Sequence, residues 1–467
     1  MQSSAGGATR MRQMRLAITW GHARVAREFI FSRKEYKFST EELNSLLLFS
    51  IIKQRTEFVK LLIDYGANVR DFVTQAHLTR LYNELRSSTG GYRLLQEKRK
   101  KEKLERGRLY HRVILTIFQV MLSDVGSIIN QIMQGSFRSI LCDPKYNERA
   151  QGNETFENPF DVMTIYSCLA DCQSMALLFW ESCKTPMATG LVAHKVYMFL
   201  DKMESKWARM DEEMTEKLEN AAHEFEMLSC GLLTACYHSY DKTEWINILT
   251  VKMKDWGYLN LFVIANITGS KHFISHAAYQ SYLTDIWMGN IHASTPTWKL
   301  LLYIIPPLPI FLSFNARFTN KDGTMKRLDS NEQDTAPKFS ARERLELYYT
   351  SPVIKFFLNT ITYLIFLGVF MATLLSSSKD KSQDMIGLTD IYTIVFVIST
   401  FPVELAQILA KHTKSVRKKF AKHFKKVYNL LDFLAVILFL FGFAIKARLS
   451  SSSAEVKNER YNLNNFS

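Results

Sequence analysis

The sequence predicts an all-α protein: a cytosolic helical-repeat (α-solenoid) region, a pre-membrane elbow, and three transmembrane helices. Three observations carry that reading. Apolar residues recur at spacings of three and four through most of the first 300 residues, in a 467-residue chain holding only 10 prolines and 19 glycines. Three runs near the C-terminus reach the length of about 20 apolar residues that a bilayer crossing needs. Between these regions lies a shorter apolar stretch broken by three prolines. The expected boundaries are residues 1–297 for the helical-repeat region, 298–345 for the elbow and a cytosolic loop, 346–448 for the spans, and 449–467 for a polar tail.

Residues 16–31 (LAITWGHARVAREFIF) carry the helical period. So do residues 57–73 (EFVKLLIDYGANVRDFV), where Gly66 supplies the left-handed residue that closes a helix. Residues 176–200 repeat the design as helix–turn–helix, with the turn at Pro186. Short antiparallel pairs of this kind stack into solenoids. Basic residues 96–108 and acidic residues 210–220 interrupt the blocks and read as solvated helices or linkers. His272, His276 and His292 read as packing or hydrogen-bonding groups rather than ligands. The six cysteines (Cys142, Cys168, Cys172, Cys183, Cys230 and Cys236) match no zinc spacing and read as reduced cytosolic core residues.

Residues 300–314 are apolar but short, and Pro306, Pro307 and Pro309 remove backbone donors within them. They predict a re-entrant or interfacial elbow anchored by Trp298, Tyr303 and Phe314. The spans follow at about residues 353–375, 388–410 and 427–446. Glu404 is the only charge within 391–410, and Asp432 the only one within 427–445. The connection 411–426 holds eight Lys or Arg. By the positive-inside rule it is cytosolic, which puts the N-terminal region in the cytosol too, and it also suits membrane lipid headgroups. The N-terminus has no apolar leader core, so the internal spans direct insertion into the membrane, most naturally the plasma membrane. Residues 449–467 are Ser- and Asn-rich and are expected to be disordered on the outer side. The glycosylation triplets at Asn153 and Asn266 fall in the cytosolic part, and that at Asn465 lies too near the terminus to weigh.

A charge inside a span costs roughly 2.5–3.5 kcal/mol or more, so Glu404 calls for a functional reading. Spacing i,i+3 puts Glu404 beside Gln407 and Asn429 beside Asp432, each pair on one helix face. Glu404 lies about 9 Å from the cytosolic end of its span and Asp432 about 7.5 Å from the same face, at 1.5 Å per residue. Two carboxylates and two amide carbonyls at one depth suit a hard divalent cation, and the lack of Cys or His nearby argues against zinc or copper. Pro402 removes a helical bond to the Ile398 carbonyl and so frees an acceptor beside the pair. Two plainer readings stand beside this one. Asn429 and Asp432 can cap the third helix at the interface, and Glu404 can pair with Lys426.

These residues carry a family resemblance. Residues 16–31, 53–73, 124–139 and 175–197 resemble the helical homology regions of melastatin-type TRP (TRPM) cation channel subunits. The most specific match is HFISHAAYQSYLTDIWMGNI (272–291), followed by WKLLLYIIPPLP (298–309) and RLELYYTSPVIKFFLNTITYLIF (344–366). The resemblance covers about residues 14–448. It implies that the three spans belong to an incomplete voltage-sensor-like bundle. It also implies that Glu404, Gln407, Asn429 and Asp432 hold a regulatory Ca2+ that favours pore opening. Calcium does so only by binding the open arrangement more tightly. Against the family pattern, the chain is expected to be truncated at both ends. It would begin after a nucleotide-binding-like region and stop before a fourth helix, pore and filter, so that it does not conduct by itself.

The net charge of +14 is concentrated beside the spans and is not a nucleic-acid signature. No phosphate loop, nucleophile elbow or HExxH pattern is present, which argues against an enzyme. Three functional readings remain: a subunit or fragment of a calcium-activated TRPM-type channel, a non-conducting isoform that forms homo- or hetero-oligomers with full-length subunits, and a membrane-anchored helical scaffold.

Overall fold

The computed structural model describes residues 2–31, 38–105, 120–135, 141, 155–207, 212–291, 295–296, 298, 300, 341–379, 387–409, 420, 423–424 and 426–464. Every named element among them is a helix; the only β-pairings are isolated bridges, Thr74 with Thr155 and Met253 with Leu259. The chain divides into two compact units, Met1–Thr284 and Asp285–Ser467.

The first unit opens with α1 (Gln2–Trp20) and the single turn α2 (Ala23–Val25), which widens into Ala26–Phe31. The periodic stretch 16–31 is therefore not one helix. Gly21 adopts φ +78° and breaks it, a conformation that costs glycine little. There follow α3 (Thr40–Ile52), α4 (Thr56–Asp64), α5 (Val69–Phe72), α6 (Gln75–Asn83), α7 (Gly90–Glu105) and α8 (Leu122–Ile132). Ser39 and Glu42 start α3 reciprocally: the Ser39 hydroxyl accepts from the Glu42 N–H at 3.2 Å and Glu42 accepts from the Ser39 N–H at 2.9 Å. Gly66, at φ +100°, follows the end of α4 as the sequence predicts. The basic stretch enters α7, a helix rather than a linker as far as Glu105.

The second half of this unit comprises α9 (Pro159–Leu169), α10 (Gln173–Trp180), α11 (Pro186–Glu204), α12 (Glu212–Ser239), α13 (Lys242–Thr250), α14 (Leu261–Thr268), α15 (Lys271–Ser275) and the first part of α16 (Ala277–Met288), whose last residues belong to the second unit. Pro186 is the first residue of α11, where its missing N–H is not needed. The helix it starts is the hub, packing on α9, α12 and α14. Leu191, Val192, Ala193 and Val196 are fully buried there. Gly190 lets α12 approach closely, because a Cβ at that position would lie 2.3 Å from the Ser229 hydroxyl. A buried polar knot sits beside this contact. Asp161 accepts from Thr189 at 2.9 Å and from Thr185 at 3.3 Å, and Trp256 donates to Thr185 at 3.1 Å. Burial pushes the Asp161 carboxyl up, against the pull of those hydroxyls. The acidic stretch lies in α12 from Glu212 onward. Cys168 and Cys230 are buried, Cys172, Cys183 and Cys236 are half-buried, and Cys142 lies outside the described residues.

The second unit holds α17 (Ala341–Thr350), α18 (Pro352–Lys379), α19 (Leu388–Leu409) and α20 (Val427–Asn464). A small core of Met288, Ile291, Leu300, Tyr348, Val353 and Ile354 sits at its start, and the Tyr348 hydroxyl donates to the Leu300 carbonyl at 2.9 Å. The proline elbow and the loop after it lie outside the described residues, as does most of the basic loop 411–426. Helices α18, α19 and α20 occupy the three expected span positions. Among the described residues, two stretches are long and apolar enough to cross a membrane, Pro352–Leu375 and Val427–Arg448; the apolar stretch Leu388–Ser399 of α19 ends where most of its later side chains fall outside the described residues. The polar tail differs from expectation, because α20 runs through it to Asn464. No Gly or Pro follows Gly442, so nothing in the backbone chemistry stops the helix.

Candidate functional site

Helices α18, α19 and α20 pack in sequence order. Phe366 of α18 stacks on Phe396 of α19 with ring centroids 4.2 Å apart, and Phe370 meets Phe439 of α20 at 6.1 Å. Near the start of α19, Asp390 accepts from Lys446, midway along α20 and near the end of its apolar stretch, at 2.7 Å. Its other oxygen accepts from the Gly387 N–H at 3.0 Å. The Asp390 side chain is 10% exposed, so this is a sheltered clasp rather than a surface pair.

That clasp sets a register. It joins the beginning of α19 to the end of the apolar stretch of α20, the pairing that antiparallel neighbours make. Position 404 lies fourteen residues beyond Asp390, and position 432 lies fourteen before Lys446. Each interval is about 21 Å at 1.5 Å per residue, which carries the two backbone positions to one level. The side chains of Glu404 and Gln407 lie outside the described residues. Pro402 lies within α19 without ending it.

The partner pair is described. The Asn429 Nδ2 donates to the His423 carbonyl at 3.0 Å, and Asp432 is exposed on the same helix. Asn429 therefore ties the first turn of α20 to the chain before it, as a donor to a carbonyl and not as an N-cap, which would accept from a first-turn N–H. Its Oδ1 keeps its acceptor capacity, since an amide carries donor and acceptor on separate atoms.

A second group of ligand-type side chains stands in the first unit, where the sequence reading had placed none. His223 and Glu226 on α12 and His272 on α15 bring their donor atoms within 4.8 Å of one another. Glu226 is 5% exposed, while both imidazoles are open to solvent. Its Oε1 accepts from the His272 backbone N–H at 2.9 Å, and the two imidazole rings meet edge to face at 5.5 Å. The i,i+3 spacing of His223 and Glu226 was legible, but their partner lies 46 residues from Glu226, and no local pattern links them. His276 behaves as expected, with Nε2 3.1 Å from the Thr234 hydroxyl. His292 lies outside the described residues.

Comparison with known proteins agrees with this architecture. A family model described as the TRPM2-like domain matches residues 30–276, more than half of the chain. Transient receptor potential cation channel subfamily M member 1 of Mus musculus is 24% identical over 471 residues, covering 86% of this chain and 28% of the relative. Subfamily M member 7 of Homo sapiens is 21% identical over 552 residues, covering 93% of this chain and 29% of the relative. The Drosophila melanogaster channel trpm is 24% identical over 536 residues, covering 93% and 26%. The chain thus spans under a third of the length of these relatives, along a segment that runs through both of its units. On the family match and on these relatives together, the chain belongs to the melastatin-type TRP (TRPM) family.

Proposed function

We propose that this chain supplies the calcium-sensing part of a TRPM-type cation channel subunit. In this reading Glu404, Gln407, Asn429 and Asp432 hold a cytosolic Ca2+ between the second and third membrane helices. The observation that carries it is the register of α19 and α20 about the Asp390–Lys446 clasp, which brings positions 404 and 432 level. Two carboxylates balance the ion's charge, and two amide oxygens with water or backbone oxygens complete six to eight ligands. The bound ion favours opening to the extent that it prefers the open arrangement. The basic loop 411–426 rests on lipid headgroups of the plasma membrane, the N-terminal unit faces the cytosol, and the chain works in a homo- or hetero-oligomer with channel subunits.

The test is electrical. In a conducting assembly containing this chain, Glu404→Ala or Asp432→Ala abolishes activation by calcium applied to the cytosolic face of excised patches, while surface delivery is kept. Unchanged calcium dependence in both variants refutes the site.

A further inference from the structure

We propose that His223, Glu226 and His272 form a transition-metal site, with zinc as its occupant, that staples α15 to α12. The donor set is two imidazoles and one carboxylate, the borderline set that suits Zn2+ and its neighbours rather than Ca2+ or Mg2+. Three protein ligands with water in the fourth position is a common tetrahedral zinc arrangement. Zinc bonds of about 2.0–2.2 Å place ligand atoms roughly 3.3–3.5 Å apart. The donor atoms here lie within 4.8 Å of one another before any ion is present, and both exposed imidazoles can turn inward to close that gap.

The carboxylate is the fixed part of the site. Glu226 is buried, and one of its roughly four acceptor positions is taken by the His272 N–H at 2.9 Å. That bond holds the start of α15 against α12 and delivers the His272 ring beside His223. A carboxylate buried at the base of two solvent-facing imidazoles gives an ion an entry path and an anchored ligand together. Cys230, one turn further along α12, is not among the side chains whose donor atoms come together there. The site lies in the first unit and is independent of the calcium reading.

The whole chain, purified in detergent micelles and stripped with a chelator, is titrated with Co2+ and then with Zn2+. The expected result is a tetrahedral cobalt band without thiolate charge transfer, displaced by zinc, together with a zinc-dependent rise in the unfolding temperature. His223→Ala and His272→Ala, both at exposed positions, bind at least about tenfold more weakly while unfolding normally without metal. Glu226→Gln keeps an acceptor for the His272 N–H and loses affinity without losing the fold. Equal binding by wild type and both histidine variants overturns the proposal, as does cobalt binding abolished only by Cys230→Ser.

Discussion

At the scale of single residues, polar groups in the first unit are held by helix ends as well as by each other. Asp171 is the clearest case. It follows α9 with φ +54°, and its Oδ2 accepts from the Gly90 N–H at 2.7 Å where α7 begins. Burial pushes its carboxyl up to about 6, against the lowering effect of that N–H. The folded value exceeds the unfolded one of about 3.9, so between pH ~4 and ~6 the folded state binds more protons. Stability from this group is therefore full below about pH 4 and is lost as the pH rises through 6, by at most about 3 kcal/mol. Asp171→Asn keeps the acceptor and removes the titration. Thermal unfolding of both proteins from pH 4 to 7 should show a flatter profile in the variant, and superimposable profiles would rule the assignment out. Residue chemistry read from sequence succeeded where the cause was local. Gly66 and Pro186 act through their own φ angles, and both stand where expected. The neighbours of His272 come from another helix, so no local pattern announces them.

At the scale of elements, close approach decides the packing. The hub α11 meets α12 through Gly190, where an added methyl would meet Ser229, with the Trp180 indole nitrogen 3.1 Å away. Gly190→Ala should destabilise the first unit by about 1–3 kcal/mol, as overpacking does in well-filled cores. Denaturant unfolding of the detergent-solubilised chain measures this, and a variant of unchanged midpoint would mean that the two helices separate freely. Helix ends were only partly legible. Gly21 interrupts a stretch whose apolar spacing is continuous, since a periodic pattern does not register a turn that keeps the same face inward. The opposite error occurred after Arg448, where polar composition suggested disorder but nothing in the sequence breaks the helix. Spacing along a helix converts directly into height, so the relative depth of positions 404 and 432 can be read from sequence. The clasp cannot, because Asp390 and Lys446 are 56 residues apart.

At the scale of the whole molecule, one continuous core from Met14 to Tyr279 serves the first unit, and a separate small core serves the second. The helical-repeat region thus buries its own apolar surface. Residues 1–284 expressed alone should purify without detergent and unfold in a single cooperative transition, while residues 285–467 should require detergent. Aggregation of the first piece, or a broad non-cooperative melt, would show that its core depends on the remainder. Family membership and the all-helical fold were legible from period and motif. Of the three expected spans, two are matched in length and apolar character among the described residues.

The clasp at Asp390 and Lys446 also bears on which motions of α19 and α20 would keep the pair intact. Sliding α20 along α19 by one turn, about 5.4 Å, would pull apart a pair now 2.7 Å long and strand two charges in a sheltered place. Pivoting leaves the pair intact, with the clasp as fulcrum and the ends some 21 Å away free to swing. A small rotation there opens or closes the gap between positions 404 and 432 with little change in their height. An ion gripped between them would then work on the long arm of a lever, where a modest force has its greatest mechanical advantage.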